Sequence, residues 1–146
     1  MKVLLIGNLA EDRQESMLRF TALLHSGLAA RGHEVTVLAP TLRLARFGPT
    51  YHYGGLPTYL GYFDKFVLFP QRLQRWIKSA RPDVVHITDH ANAMYGAVVP
   101  GIPVLATCHD RLQRRAALGE VRRQAVGLVG RRYQAWIRKS LGKLSL

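Results

Sequence analysis

Titratable side chains gather in two short stretches. "DVVHITDH", residues 83–90, holds His86, Asp89 and His90, and "VLATCHD", residues 104–110, ends an apolar run on Cys108, His109 and Asp110. Imidazoles titrate near neutral pH and carboxylates orient hydroxyls. The set therefore suits acid–base work, polar-substrate binding or stabilisation of a developing negative charge. Each residue also has a plainer account. His109 and Asp110 can be the polar hem of a core strand. His86 alternates with Val85 and Ile87 as a satisfied core histidine would, and Asp89 with His90 can cap a following helix. The His-x-x-Asp-His spacing invites a metal, but His86 lies in a strand pattern and no cysteine or glutamate completes a shell. The sequence predicts no metal site.

The elements around these residues alternate. "KVLLIG" (2–7) is a continuous apolar run closed by Gly7, the pattern of a strand buried on both faces. "SMLRFTALLHSGLAARGH" puts Met17, Phe20, Leu24 and Leu28 on one helical stripe, with Gly32 as its stop. "EVTVLAP" (34–40), "DVVHIT" (83–88) and "IPVLATC" (102–108) read as further strands, "PQRLQRWIKSARPD" (70–83) as a helix opened by Pro70, and "NAMYGAVVP" (92–100) as a short one. This order predicts right-handed crossovers and a parallel sheet. Ligands of such sheets bind beyond the carboxyl ends of the strands, where the two titratable clusters fall. Gly7 and Asn8 end the first strand, and "EDRQES" leads into a helix N-terminus able to favour an anion. There Asp12 reads as a helix cap, while Ser16 is either a cap or a ligand contact. No Gly-x-Gly-x-x-Gly or P-loop lysine is present, so no nicotinamide, flavin or other cofactor is expected.

Residues 41–69 are less regular, broken by glycines and prolines, and hold eight of the chain's thirteen aromatic residues. Phe63, Phe66 and Phe69 are expected in the core, as a buried strand face. Tyr51, His52 and Tyr53 are candidates for an acceptor loop, where flat rings with polar tips stack on sugars or head groups.

At 146 residues the chain fits one domain with a sizeable core, and 48% apolar content excludes disorder. No apolar run reaches the twenty or so residues of a membrane span, and the first residues are too short an apolar run for a signal peptide. Cys108 is the only cysteine, which sets a cytoplasmic expectation. Charge is uneven: residues 1–110 carry 11 Lys and Arg against 8 Asp and Glu, residues 111–146 carry 10 against 1. From about Gln124, Leu128, Tyr133, Trp136, Ile137, Leu141 and Leu144 recur at helical spacing between arginines. Residues 124–146 are thus expected to form a basic amphipathic helix closing the domain of residues 1–123.

"KVLLIG", "LLHSGLAARGHEVTVLAP", "RPDVVHITDH" and "VPGIPVLATCHD", in this order, resemble the N-terminal domain of family-four retaining glycosyltransferases of GT-B architecture. The resemblance implies an α/β fold: a Rossmann-like parallel sheet flanked by helices, the truncated N-terminal half of a GT-B enzyme. In the family this half binds the acceptor, and a second Rossmann-like domain holds the nucleotide-sugar. His109 matches the histidine ending the family's strand beside the transferred sugar and diphosphate, and Asp110 follows it as in many members. These two are the catalytic candidates. His86 and Asp89 match the strand and exit loop that shape the acceptor side, with His90 beside them. Gly7, Asn8 and Ser16 fall near the donor phosphates, although "EDRQESM" stands where the family carries a glycine pair.

The implied activity is transfer of a sugar from a nucleotide-sugar to a carbohydrate or lipid-linked acceptor, incomplete without a donor-binding domain supplied in trans. The chain alone is expected to be inactive. The rival reading is a non-enzymatic α/β domain that binds an anionic membrane surface or another polyanion through its basic helix, peripheral at the inner face of the membrane. Nucleic acid is not expected, since no recognition motif accompanies the charge.

Overall fold

The computed structural model describes residues 1–45 and 56–109. β1 (Lys2–Ile6) explains its own sequence: Val3, Leu4, Leu5 and Ile6 are all buried because the strand is central and covered on both faces. β2 (Glu34–Leu38), β3 (Val84–Ile87) and β4 (Val104–Ala106) join it in the order β2-β1-β3-β4, every pair parallel. Leu4 lies opposite Val85, and Ile6 lies between Leu38 and Ile87. The strands are shorter than their sequence patterns, although Gly7 N–H to Leu38 O and Thr107 N–H to Ile87 O, each 2.9 Å, extend the ladder past their ends.

The chain leaves β1 for β2 on one side and returns to β3 on the other. α1 (Glu15–Ala29) makes the first crossover and α3 (Phe69–Ala80) the second, so right-handed connections place them on opposite faces. α1 half-buries Met17, Phe20, Leu24 and Leu28 as expected and leaves Leu23 on its outer side, 71% exposed. Gly32 at φ +80° supplies the left-handed turn that ends the segment, a conformation other residues adopt at a penalty. α3 buries Phe69, Leu73 and Ile77 against Leu4, Ile6, Val85 and Ile87, together with Met94 and Tyr95 from the 3₁₀ helix His90–Val98.

Three expectations are corrected. Residues 56–69 are helical, not irregular or strand-like: α2 (Leu56–Phe63) runs through a π-helical turn (Asp64–Leu68) into α3. The turn has a local reason. Pro70 lacks an N–H and its ring would strike the carbonyl four residues back, and the wider Phe69 N–H to Asp64 O bond lets the helix continue past it. Phe63 is consequently 45% exposed and not in the core, whereas Phe69 is buried and Phe66 packs against the core's rim. Asp12 does not cap α1, whose N-cap, Gln14, makes no side-chain capping bond. Asp12 Oδ2 instead meets Lys65 Nζ at 2.5 Å.

Asp64 is buried, and its carboxylate accepts from the backbone N–H groups of Arg43, Leu44 and Ala45 at 2.9, 3.0 and 3.2 Å. The π turn thereby pins the segment after β2. Tyr51, His52 and Tyr53, Asp110, and the boundary and helix expected at 123–146 lie outside the described residues. Among the described residues no helix is long and apolar enough to cross a membrane. Leu73, wholly buried under the sheet, gives the fold its simplest test: Leu73→Ala is expected to lower unfolding free energy by about 2–5 kcal/mol in urea melts. A loss well under 1 kcal/mol would contradict the packing of α3 described above.

Candidate functional site

The sheet order reverses at β1, so the loops leaving β1 and β3 emerge side by side at the carboxyl end of the sheet, where ligands of open parallel sheets bind. Asn8 follows β1, and Thr88 and Asp89 follow β3. Asn8 Nδ2 donates to Asp89 Oδ2 at 2.6 Å and also to Gln14 Oε1, while Asn92 Nδ2 donates to Asn8 Oδ1 at 2.7 Å and to Gly7 O at 3.3 Å. Both hydrogens and the carbonyl of the Asn8 amide are therefore engaged. Asp89 Oδ1 accepts from Ala91 N–H at 3.0 Å, which makes Asp89 the N-cap of the 3₁₀ helix. His90 Nδ1 stands 3.1 Å from the same oxygen, close enough for an ion pair when the ring is charged, yet off the line of a directed hydrogen bond.

Asn8, Asp89 and His90 are all buried, so this cluster is an internal brace between the loops leaving β1 and β3. Burial works to raise the Asp89 pKa. The His90 and Ala91 N–H contacts, the Asn8 amide and the nearby His90 charge outweigh it and hold the carboxyl down at about 2.

The imidazoles of His86 and His109 come from adjacent strands. His86 is half-buried, and its Nε2 meets Thr107 Oγ1 at 2.7 Å. Burial lowers its pKa, and the neighbouring His109 lowers it further. His109 is exposed at the end of β4, with Nε2 2.9 Å from Thr88 O and Phe20 of α1 packed edge-on against its ring at 4.5 Å. A carbonyl oxygen only accepts, so Nε2 carries the proton and Nδ1 is the nitrogen left for a ligand. Thr88 itself is wholly buried. Its hydroxyl contacts Ile6 O at 3.1 Å and Thr21 Oγ1 at 2.9 Å, tying β1, β3 and α1 together below His109.

The structure thus brings Asn8, Asp89 and His90 into one buried network and His86 with His109 into a second, shallower pair. Gly7 is buried without a positive φ, and an added Cβ would meet Thr21 Cγ2 at an ordinary 3.5 Å, so its backbone could accommodate a side chain. Ser16 sits exposed in the first turn of α1. Sequence reasoning missed Thr21, Thr88, Asn92, Thr107 and the Lys65–Asp12 pair. Thr88 and Thr107 were within reach, since each is the polar residue directly after an apolar strand. Among the described residues no three His, Cys, Asp or Glu side chains form a metal-binding group.

A four-stranded parallel sheet with crossover helices defines a Rossmann-like α/β domain, with polar side chains gathered at the carboxyl ends of β1 and β3. Residues 17–145 match the profile of Glycosyltransferase Family 4, and the chain belongs to that family. A comparison with curated proteins finds no match.

The charges of the site set its acid response. His86 is held below its ordinary 6.5, so the unfolded chain takes up protons first as pH falls through 6.5 and stability declines. Asp89 adds stability above 3.8 that is lost as pH falls towards about 2. Urea melts across this range are expected to show both declines, and His86→Gln should flatten the first. An unaltered first decline in that variant would contradict the assignment.

Proposed function

We propose that this chain is the acceptor-side half of a retaining GT-B glycosyltransferase. It moves a sugar from a nucleotide-sugar to a carbohydrate or lipid-linked acceptor, with the donor held by a second domain in a longer protein or in trans. The family supports sugar transfer in general. One observation carries the finer reading: His109 is exposed at the carboxyl end of the sheet, its tautomer set by Thr88 O and its plane by Phe20.

With Nε2 committed, Nδ1 works on the ligand. In the neutral ring it accepts from a sugar hydroxyl. In the charged ring it donates to the departing diphosphate. Charge develops on that leaving group as the glycosidic bond breaks, and a donor fixed in advance stabilises it without reorganising at the moment of reaction. Asp110 continues this rim. His86 backs His109 from the neighbouring strand, and Asp89 and His90 shape the acceptor side from beneath. Tyr51, His52 and Tyr53 provide the acceptor loop, and Gly7, Asn8 and Ser16 border the donor phosphates. Positioning of the two substrates supplies the remaining acceleration, and the reading assigns no step to a metal.

Transfer from a radiolabelled nucleotide-sugar, assayed with the donor-binding domain present, is expected to fall roughly 100-fold in His109→Ala with the melting curve unchanged. Wild-type turnover in that variant would remove His109 from the mechanism.

A further inference from the structure

A second cavity lies at the carboxyl end of β2. Its volume is about 240 Å³, and it is lined by Thr41, Arg43, Asp64, Leu68, Phe69, Arg72 and Arg75. Arg43 comes from the segment after β2, Arg72 and Arg75 from successive turns of α3. Among the described residues none of the three guanidinium groups pairs with a carboxylate: the ion pairs are Arg19–Glu15, Lys65–Asp12 and His90–Asp89. Arg75 contributes only an Nε contact of 3.4 Å to Gln71 O, which leaves its terminal nitrogens to face a ligand.

Among the described residues Asp64 is the one acid in the wall and the obvious objection to an anion. Its oxygens, however, already accept the backbone N–H groups of Arg43, Leu44 and Ala45. Those bonds disperse its charge and at the same time hold Arg43 at the rim. Three permanently charged forks therefore surround a hollow whose single carboxylate is satisfied by the main chain.

We infer that this cavity binds a phosphate monoester carried by the acceptor, gripped by Arg43, Arg72 and Arg75 with the Thr41 hydroxyl beside them. Guanidinium forks match phosphate oxygens in pairs, the arrangement that gives the stronger charge-assisted hydrogen bonds. Pockets that hold drug-sized ligands run to roughly 300–1,000 Å³. At about 240 Å³ the cavity is small and suits a phosphate with one attached sugar or a lipid head group.

The π turn links this cavity to the loop after β1. Asp64 faces the cavity, the next residue, Lys65, grips Asp12 in the β1–α1 loop, and Lys65 O accepts from Tyr95 OH at 3.2 Å. A phosphate seated here would anchor an acceptor whose hydroxyl extends towards His109. That last role rests on the glycosyltransferase reading above, whereas the phosphate site itself does not.

The test uses the full chain with ¹⁵N-labelled arginine at low salt. Inorganic phosphate and glucose 6-phosphate are expected to shift the side-chain Nε–H signals of Arg43, Arg72 and Arg75 saturably, and glucose to shift none. R72Q/R75Q should weaken phosphate binding at least about tenfold, and R31Q, in the turn after α1, should leave it unchanged. A lipid source is separated by sedimentation with phosphatidylcholine vesicles containing phosphatidic acid: binding lost in R72Q/R75Q assigns the phosphate to a lipid, and saturation by glucose 6-phosphate alone assigns it to a soluble sugar. Absence of any shift, or wild-type binding of both probes by R72Q/R75Q, overturns the proposal and leaves these arginines as a solvated helix face. No nucleotide-sugar enters the experiment, so its failure leaves His109 untouched. Phosphate binding by a chain whose His109→Ala form transfers normally would keep the cavity and discard the mechanism.

Discussion

The hydrogen bond from Asn8 to Asp89 is the constraint on which the carboxyl end of the sheet depends. It joins the residues just after the two central strands, and both partners are 5% exposed. A buried carboxylate is destabilising unless its charge is met by donors. Here Ala91 N–H and Asn8 Nδ2 donate to it and the His90 ring stands within ion-pair distance, and each comes from a segment that must then stay in place. With Asp89 fixed, the adjacent Thr88 carbonyl is fixed, and that carbonyl sets the ring of His109. The exposed imidazole at the surface is thus oriented by a polar network below it.

A second line of support runs through the π turn. The Lys65–Asp12 pair has side chains only 17% and 12% exposed, whereas Arg19–Glu15 on α1 is 81% and 78% exposed. Solvent screening and side-chain entropy leave the exposed pair with little net effect, so the shielded pair is the one that holds the β1–α1 loop to the helical layer. Pro70 is the origin of this arrangement. By forcing a wider helical turn it brings Asp64 and Lys65 to successive positions, one turned to the segment after β2 and the other to the loop after β1.

Much of the fold was legible in the sequence because its signals are local. A four-residue apolar run between Lys2 and Gly7 marks a strand buried on both faces, and the Met17–Leu28 stripe followed by Gly32 marks a helix and its stop. Residues 56–69 were not legible, since scattered aromatics with Pro57 and Pro70 give the same local pattern for a broken loop as for a helix relieved by a π turn. The site divides in the same way. His86, Asp89, His90 and His109 stand out by type at the ends of strands. The partners that orient them, Asn92, Thr21, Thr88 and Lys65, are ordinary residues whose importance comes from contacts as many as 85 positions apart, such as Asn92 with Gly7. Asp89 shows the limit well: its capping role is local and readable, and its bond to Asn8 is not.

A double-mutant cycle on Asn8 and Asp89 addresses the brace directly. Unfolding free energies of Asn8→Ala, Asp89→Ala and the double variant, from urea titration at neutral pH, give the coupling between the two side chains. The account predicts a favourable coupling of about 1.5–3 kcal/mol, as for a shielded hydrogen bond to a charged group. Additive losses would show that the two side chains do not support each other, and that the loops after β1 and β3 are held together by other means.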